Sequence, residues 1–190
     1  MNAPALENGY VKLTLLDLSN YEKLIAIAQQ ENLVQYSPSN IATAEALKDY
    51  VQTAVDGYYH KTTIPFIVFD KTKSEYAGCT RFMNIDRKNK VLEIGATWIG
   101  KEFQGSALNM NIKYLMLSYA FESLYFEKIE FRIDERNIRS RKSVEKVGGT
   151  LEGILRQNVY LLDGFKRNTC CYGILKEEWK DIKSSVFKEF

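Results

Sequence analysis

The feature that most constrains the fold of this chain is one strand–turn–helix pattern at residues 91–121. Val91–Ile99 mixes β-branched and aromatic residues with almost no charge, as is typical of a buried strand. Gly100 and Gly105 follow this strand and mark a turn. Apolar residues then recur every three or four positions, which predicts a helix over 106–123. A glycine-bearing turn that opens into a helix presents unpaired N–H groups at the positive end of the helix dipole. The stretch therefore predicts an anion site, most often for phosphate.

Length and composition restrict the class of protein. A chain of 190 residues is expected to form a single domain, 1–190, with a full hydrophobic core. Its net charge of +2 gives no bulk reason to expect nucleic acid or a membrane surface as a partner. Three cysteines and one histidine favour neither a disulfide framework nor a metal site. We expect a cytoplasmic protein, because the sequence has neither a signal-like start nor an apolar run near the ~20 residues of a membrane span.

In the rest of the chain, strand patterns alternate with helix patterns. Further strands are predicted at Tyr10–Leu15, Ile64–Phe69, Glu75–Ile85, Lys128–Ile133, Thr150–Leu161 and Arg167–Leu175. Further helices are predicted from Asp17 or Ser19 to Gln29, from a Thr43 cap to Tyr59, from Asn137 to Val147, and from Lys176 to Lys183. Short polar turns predict an antiparallel meander from 64 to 99, and the strand at 128–133, reached through a helix, should lie parallel to the strand at 91–99. The two early helices could form a flap or simply pack on the sheet.

Four segments together resemble the GCN5-related N-acetyltransferase (GNAT) superfamily, within it the branch that contains the ribosomal-protein N-terminal acetyltransferases. They are LEIGATWIGKEFQGSALN, KYLMLSYAFESLYFEKIEFRID, RNIRSRKSVEKVGGTLEGILR and CYGILKEEW. The third is the most specific, with an Asn-x-x-Ser-spaced helix, a glycine, a Glu-Gly pair and an arginine. The resemblance covers nearly the whole chain. It implies an α/β GNAT fold, whose mixed, mostly antiparallel central sheet of about seven strands is splayed in the middle and flanked by helices.

The resemblance also implies acetyl-CoA as co-substrate. The phosphate-loop pattern of the family falls here on Gln104, Gly105, Ser106, Ala107, Leu108 and Asn109. Ala107 and Asn109 depart from that pattern, but the ligand is held by backbone N–H groups, which both residues supply. The backbone of Trp98 and Ile99 would pair with the pantetheine arm. Asn137 would contact the same arm, or would serve only as a helix cap.

The chemistry requires a base and an acid, since a protonated amine cannot attack a thioester. Glu93 is the candidate base, because desolvation in an apolar strand would raise its pKa. Alternatively, Glu93 faces solvent or pairs with Arg81 or Arg132. The resemblance implies that Ser140 lies near the thioester sulfur and could protonate the thiolate. The tyrosine that is the usual acid of the superfamily is replaced by Val144, so Ser140 or a water would have to act instead.

The basic residues of the helix predicted at 137–147 have several interpretations. Arg139 or Arg141 could bind the cofactor phosphates, contact RNA, or belong to a solvated helix face. The acceptor is left open between a protein N-terminus and a small-molecule amine. We predict an acetyltransferase, monomeric or homodimeric, that moves acetyl from acetyl-CoA to a primary amine by direct attack in a ternary complex. The alternative is a non-catalytic acyl-CoA-binding or regulatory protein.

Overall fold

The computed structural model describes residues 4–190, which form one sheet with helices on both faces. The strands are β1 (Leu6–Glu7), β2 (Val11–Leu15), β3 (Ile64–Asp70), β4 (Glu75–Asp86), β5 (Val91–Ile99), β6 (Lys128–Asp134), β7 (Thr150–Tyr160) and β8 (Lys166–Leu175). Within the described range they make an 8-stranded sheet of order β1-β2-β3-β4-β5-β6-β8-β7. The predicted α/β class is confirmed. The strand beyond the expected seven is β1, whose two residues are too few to show any alternation.

Strand pairing follows the sequence prediction. The meander β3–β4–β5 is antiparallel, and β5 pairs with β6 in the parallel direction. That parallel ladder joins Val91 to Lys128, Leu92 to Ile129 and Glu93 to Glu130, and it ends there. From residue 94 to Ile99, β5 therefore runs apart from β6. The predicted splay in the middle of the sheet is confirmed.

Five α-helices accompany the sheet in the described part of the chain: α1 (Ile25–Ala28), α2 (Ala44–Tyr59), α3 (Leu108–Ser118), α4 (Ile138–Lys146) and α5 (Lys176–Ser185). Thr43 caps α2 as predicted, since its Oγ1 accepts a hydrogen bond from the Ala46 N–H at 3.1 Å. None of these helices combines the length and the apolar character that crossing a membrane requires, judged over residues 4–190.

Two predicted helix boundaries are wrong. The helix expected from Asp17 or Ser19 is only a 3₁₀ turn, Tyr21–Leu24, followed by α1. The Asp17 carboxylate accepts hydrogen bonds from both the N–H and the hydroxyl of Ser19, which holds this segment in a turn instead of a helix. The helix expected over 106–123 begins at Leu108 and widens into a π-helical turn after Ser118.

The sheet separates two hydrophobic clusters. On one face α1 and α2 pack on β3 and β4, with Leu47 and Val51 buried against Ile67 and Cys79. On the other face α3 and α5 cover a larger cluster that includes Ile112 and Trp179, among others. The early helices therefore pack on the sheet, which is the simpler of the two sequence interpretations. We call these two sides the α2 face and the α3 face.

Candidate functional site

A β-bulge opens the sheet at its centre. Ala96 has a φ of 49°, and the β4–β5 register shifts between Cys79 and Arg81. A bulge bends its strand and re-aims the side chains that follow. Because the pairing with β6 has already ended at Glu93, the two strands diverge after it, and we call the gap between them the cleft.

The predicted cofactor strand, β5, is anchored at its end by two hydrogen bonds. Trp98 is buried, and its indole N–H donates to the Tyr50 hydroxyl at 3.3 Å on the α2 face. The Ile99 carbonyl accepts a hydrogen bond from the Gln104 side chain at 2.8 Å. The end of β5 is therefore tied directly to the turn that leads into α3.

The turn before α3 has the conformation that an anion site needs. Gly105 has a φ of 78°, a region that favours glycine. The Ser106 hydroxyl donates to the Phe103 carbonyl and accepts from the Leu108 N–H, which starts α3. Ser106 and Ala107 are exposed at the surface. The first turn of α3 therefore presents its backbone where a phosphate can reach it.

Helix α4 lies beside this turn. The Arg139 guanidinium donates to Gln104 Oε1 at 2.6 Å, and the Asn109 amide donates to Ser143 Oγ at 2.8 Å. The structure thus brings together Gln104, Asn109 and Arg139, three of the residues that the resemblance assigned to cofactor binding. Ser143 belongs to the same cluster but was not predicted, because its partner lies 34 positions away and local spacing gives no sign of it.

Arg141 faces a different environment. Its Nε donates to the Tyr172 hydroxyl at 3.0 Å and its Nη1 donates to the Glu135 carbonyl at 3.1 Å. These bonds hold Arg141 between α4 and β8, so of the two predicted phosphate ligands the geometry favours Arg139. The Asn137 side chain caps α4 by accepting from the Ser140 N–H at 3.1 Å, so the alternative capping role is present.

Replacing Asn137 with alanine should lower the free energy of unfolding by ~1 kcal/mol, because the cap is lost. Urea unfolding would measure this change. Asn137→Asp retains a capping oxygen and serves as the matched control. An alanine variant as stable as the wild type would contradict the capping role.

Glu93 lies at the point where the cleft opens. It is 6% exposed and accepts a hydrogen bond from the Asn84 amide at 2.8 Å. Arg132 Nε lies 3.7 Å from the carboxylate, so Arg132 and not Arg81 is its ion-pair partner. Burial raises the pKa of Glu93, against the opposing effects of Asn84 and Arg132. A Cβ on Gly95 would lie 3.0 Å from Glu93 Oε1, so a glycine there leaves room for the carboxylate.

Lys113 on α3 was not predicted as part of the site. It is 5% exposed, and its Nζ lies 3.3 Å from Thr97 Oγ1 and 5.5 Å from the centre of the Phe131 ring. Burial lowers its pKa to about 8. Thr97 belongs to β5 and Phe131 to β6, so the ammonium lies between the two diverging strands on the α3 face. Helical spacing could have indicated that Lys113 is buried, because it places residue 113 among the apolar positions of α3.

Comparison with known proteins agrees with this geometry. A family model described as an acetyltransferase (GNAT) domain matches residues 11–150. The chain is 32% identical over 106 residues to the "Putative ribosomal N-acetyltransferase YdaF" of Bacillus subtilis (strain 168), a match that covers 56% of this chain and 57% of that protein. It is 25% identical over 174 residues to the "Uncharacterized N-acetyltransferase YoaA" of the same strain, which covers 91% of this chain and 97% of that one.

The fold also has a counterpart among solved structures. The crystal structure of a "putative acetyltransferase" from T. thermophilus superposes with a TM-score of 0.87 at 28% identity, covering 100% of this chain and 98% of that one. Because the superposition covers the full chain, it takes in the sheet and the helices on both faces. The candidate site therefore lies on a fold that the two proteins share along the whole chain.

Proposed function

The chain belongs to the GNAT acetyltransferase family, and on that premise we propose that it transfers an acetyl group from acetyl-CoA to a primary amine. The observation that carries the proposal is the cleft between β5 and β6, with a buried carboxylate at its origin and the N-terminus of α3 at its mouth. The acceptor is a protein N-terminus or a small-molecule amine.

Binding of acetyl-CoA would use backbone groups above all. The N–H groups of Ser106, Ala107 and Asn109 would face the pyrophosphate, with Arg139 beside them. The pantetheine arm would lie along the unpaired edge of β5 near Trp98 and Ile99, as an added strand does. Asn137 and Ser140, at the start of α4, would border the same arm.

Transfer then requires no covalent enzyme intermediate. Glu93 removes a proton from the acceptor ammonium, directly or through water, and its raised pKa makes it a stronger base than an ordinary carboxylate. The amine nitrogen attacks the thioester carbon, while N–H groups of β5 stabilise the negative charge on the carbonyl oxygen. The C–S bond breaks, the attacking nitrogen loses its second proton, and the thiolate takes a proton from Ser140 or from water. The proton lost by the nitrogen restores that donor, directly or through water. The products are the acetylated amine and free CoA.

One observation favours a second candidate function. Val144, where the superfamily usually has a tyrosine acid, is 4% exposed and has no proton to donate. A non-catalytic acyl-CoA-binding or regulatory protein would retain the cleft without needing that acid. Turnover with any amine separates the two candidates.

Acetyl-CoA and desulfo-CoA should each raise the melting temperature, whereas ATP and NAD should not. A ligand at a hundred times its dissociation constant adds ~2.7 kcal/mol, which is roughly 5–10 °C for a chain of this size. A thermal melt with the four compounds in parallel measures this, and free-thiol release then screens amine acceptors. The absence of a shift with either CoA compound would contradict the proposal.

A further inference from the structure

Several charged side chains share the α2 face of the sheet next to the cleft. Residues directly opposite each other in antiparallel strands point to the same face. Arg81 lies opposite Gly95, and Met83 lies opposite Glu93, so Arg81 and Glu93 are neighbours on this face. The ring of Tyr50, which belongs to α2, lies 4.2 Å from the Arg81 guanidinium carbon and identifies the face.

Arg81 is a buried cation with unused donors. The side chain is 7% exposed, and within residues 4–190 neither its Nε nor its Nη2 has a hydrogen-bond partner. The guanidinium instead lies over the face of the Tyr50 ring. Leaving buried polar groups unpaired lowers stability, and the cost is larger when the group is charged. A bound anion would pair with these donors and offset that cost. The edge of the reaction cleft beside Arg81 is therefore a candidate anion site.

Arg167 provides a second buried cation on the same face. It lies two residues from Thr169, which pairs with Asp134 of β6. Arg167 is 9% exposed and donates to the Tyr36 carbonyl at 2.7 Å and to Thr169 Oγ1 at 3.2 Å. In the described part of the chain it makes no ion pair, since Asp134 pairs with Arg136 at 2.7 Å.

The nearest carboxylate does not neutralise both arginines. Glu93 is paired with Arg132, which also contacts Glu130 at 3.4 Å. Burial lowers the pKa of Arg167, against the opposing effects of the Asp134 and Glu93 charges. Since Glu93 and Asp134 are each already paired with another arginine, Arg81 and Arg167 remain buried cations without an ion-pair partner among residues 4–190.

A cavity of about 660 Å³ lies beside the segment that holds Arg167. It is lined by residues 28–37, 39–42, 136 and 161–163, so Arg81, Glu93 and Arg167 are not part of its wall. Tyr36 is part of the wall, and the Tyr36 carbonyl is the acceptor that holds Arg167. The cavity therefore borders the segment that positions Arg167.

We propose that Arg81 and Arg167 bind an anionic group of the acceptor, so that the acceptor is an amine that also carries a carboxylate or a phosphate. The inference rests on the proposed acetyl transfer, whose acceptor class it specifies. The anion would pair with the Nε and Nη2 donors of Arg81, which have no partner within residues 4–190, and with the charge of Arg167. The amine of the same molecule would then reach Glu93. Polyamines would be poor acceptors, because their second ammonium would meet buried positive charge.

Four amines of similar length test this class. Ethanolamine is neutral beyond its amine, β-alanine adds a carboxylate, O-phosphoethanolamine adds a phosphate, and 1,3-diaminopropane adds a second cation. With acetyl-CoA as donor and free thiol as readout, β-alanine or O-phosphoethanolamine should have a kcat/KM at least ~10-fold above that of ethanolamine. 1,3-Diaminopropane should be the poorest, and the better of the two anions identifies carboxylate or phosphate.

Variants of the two arginines test whether these side chains cause the preference for anionic amines. Arg81→Met and Arg167→Met should each lower the ratio of kcat/KM for the anionic amine over ethanolamine by about 10- to 100-fold. Arg81→Lys keeps the charge without the guanidinium geometry and should lower the ratio less than Arg81→Met does. Lys88→Met removes an exposed cation from the 86–90 hairpin turn and should leave the ratio unchanged. Circular dichroism checks that each variant is folded.

The outcomes also separate this inference from the proposed function. Equal kcat/KM values for neutral and anionic amines would overturn the inference and leave acetyl transfer standing. So would acetylation of ethanolamine with no acetylation of either anionic amine. A ratio unchanged in both arginine variants would show that these side chains are structural. Failure of acetyl-CoA to bind would overturn the proposed function itself.

Discussion

Glu93→Gln should lower kcat by ~10²-fold or more while acetyl-CoA still raises the melting temperature. The carboxamide has nearly the shape of the carboxylate but cannot take a proton from the acceptor. One oxygen remains to accept the hydrogen bond that Asn84 donates at 2.8 Å. Steady-state kinetics by thiol release, together with an acetyl-CoA melt, measures both parts of this expectation.

Glu130→Gln is the matched control. Glu130 lies directly beside Glu93 in the β5–β6 register, and both carboxylates contact Arg132. If Glu93 serves only to pair with Arg132, the two variants should lose activity to a similar extent. A large loss confined to Glu93→Gln would support the base, and an unchanged kcat in that variant would rule it out.

The pH dependence follows from the raised pKa of Glu93, which burial causes. A base acts when it is deprotonated, so wild-type kcat/KM should rise with pH through that pKa, and this limb should disappear in Glu93→Gln. The effect on stability has the opposite sign. A folded state with the higher pKa binds the proton more strongly, so deprotonation above the ordinary pKa of 4.5 costs stability. Glu93→Gln should therefore not destabilise the fold at pH 7.

Much of the fold was predictable because its signals are local. Alternating apolar residues and short polar turns located the meander, and the helix between β5 and β6 required the parallel pairing that is observed. The glycine turn at Gly105 and the cap at Asn137 follow from the conformations that these residue types prefer. The contact of Gln104 with Arg139 confirmed that two predicted segments meet.

The remaining parts of the site depend on contacts between distant strands. No local pattern indicates the bulge at Ala96. This bulge determines which side chains of β5 point to the α2 face and which point to the α3 face. Hydrophobic patterning treats a charged residue as exposed, so Arg81 and Lys113 were not expected in the interior. Both are buried beside the cleft. Sequence reasoning missed the residues that break the patterning rule on which it relies, and such exceptions are commonly functional.

Replacing Lys113 with methionine should raise the free energy of unfolding at pH 7 by roughly 2–3 kcal/mol. The ammonium is 5% exposed, and the described ion pairs provide it with no carboxylate partner. Burial lowers its pKa from 10.5 to about 8, so the folded state holds this charge at a cost. Methionine fills a similar volume without the charge. Urea unfolding measures the gain, and Lys180→Met, at an exposed position of α5, is the control.

The gain should depend on pH with a definite sign. Between about 8 and 10.5 the unfolded chain keeps the Lys113 proton while the folded protein releases it, so wild-type stability rises with pH across this window. The methionine variant lacks this rise, and the difference between the two proteins should shrink as pH increases. A difference that stays constant would contradict the lowered pKa.

Lys113→Met also tests whether the buried charge of Lys113 has a function. Thr97, 3.3 Å from Lys113 Nζ, belongs to the segment of β5 along which the pantetheine arm is proposed to lie. A variant that is more stable but has lost acetyl-CoA binding or turnover would mean that the fold gives up stability at Lys113 for function. A variant that is more stable and equally active would make Lys113 a packing feature, and the β5–β6 cleft would then depend on Glu93 and backbone groups alone.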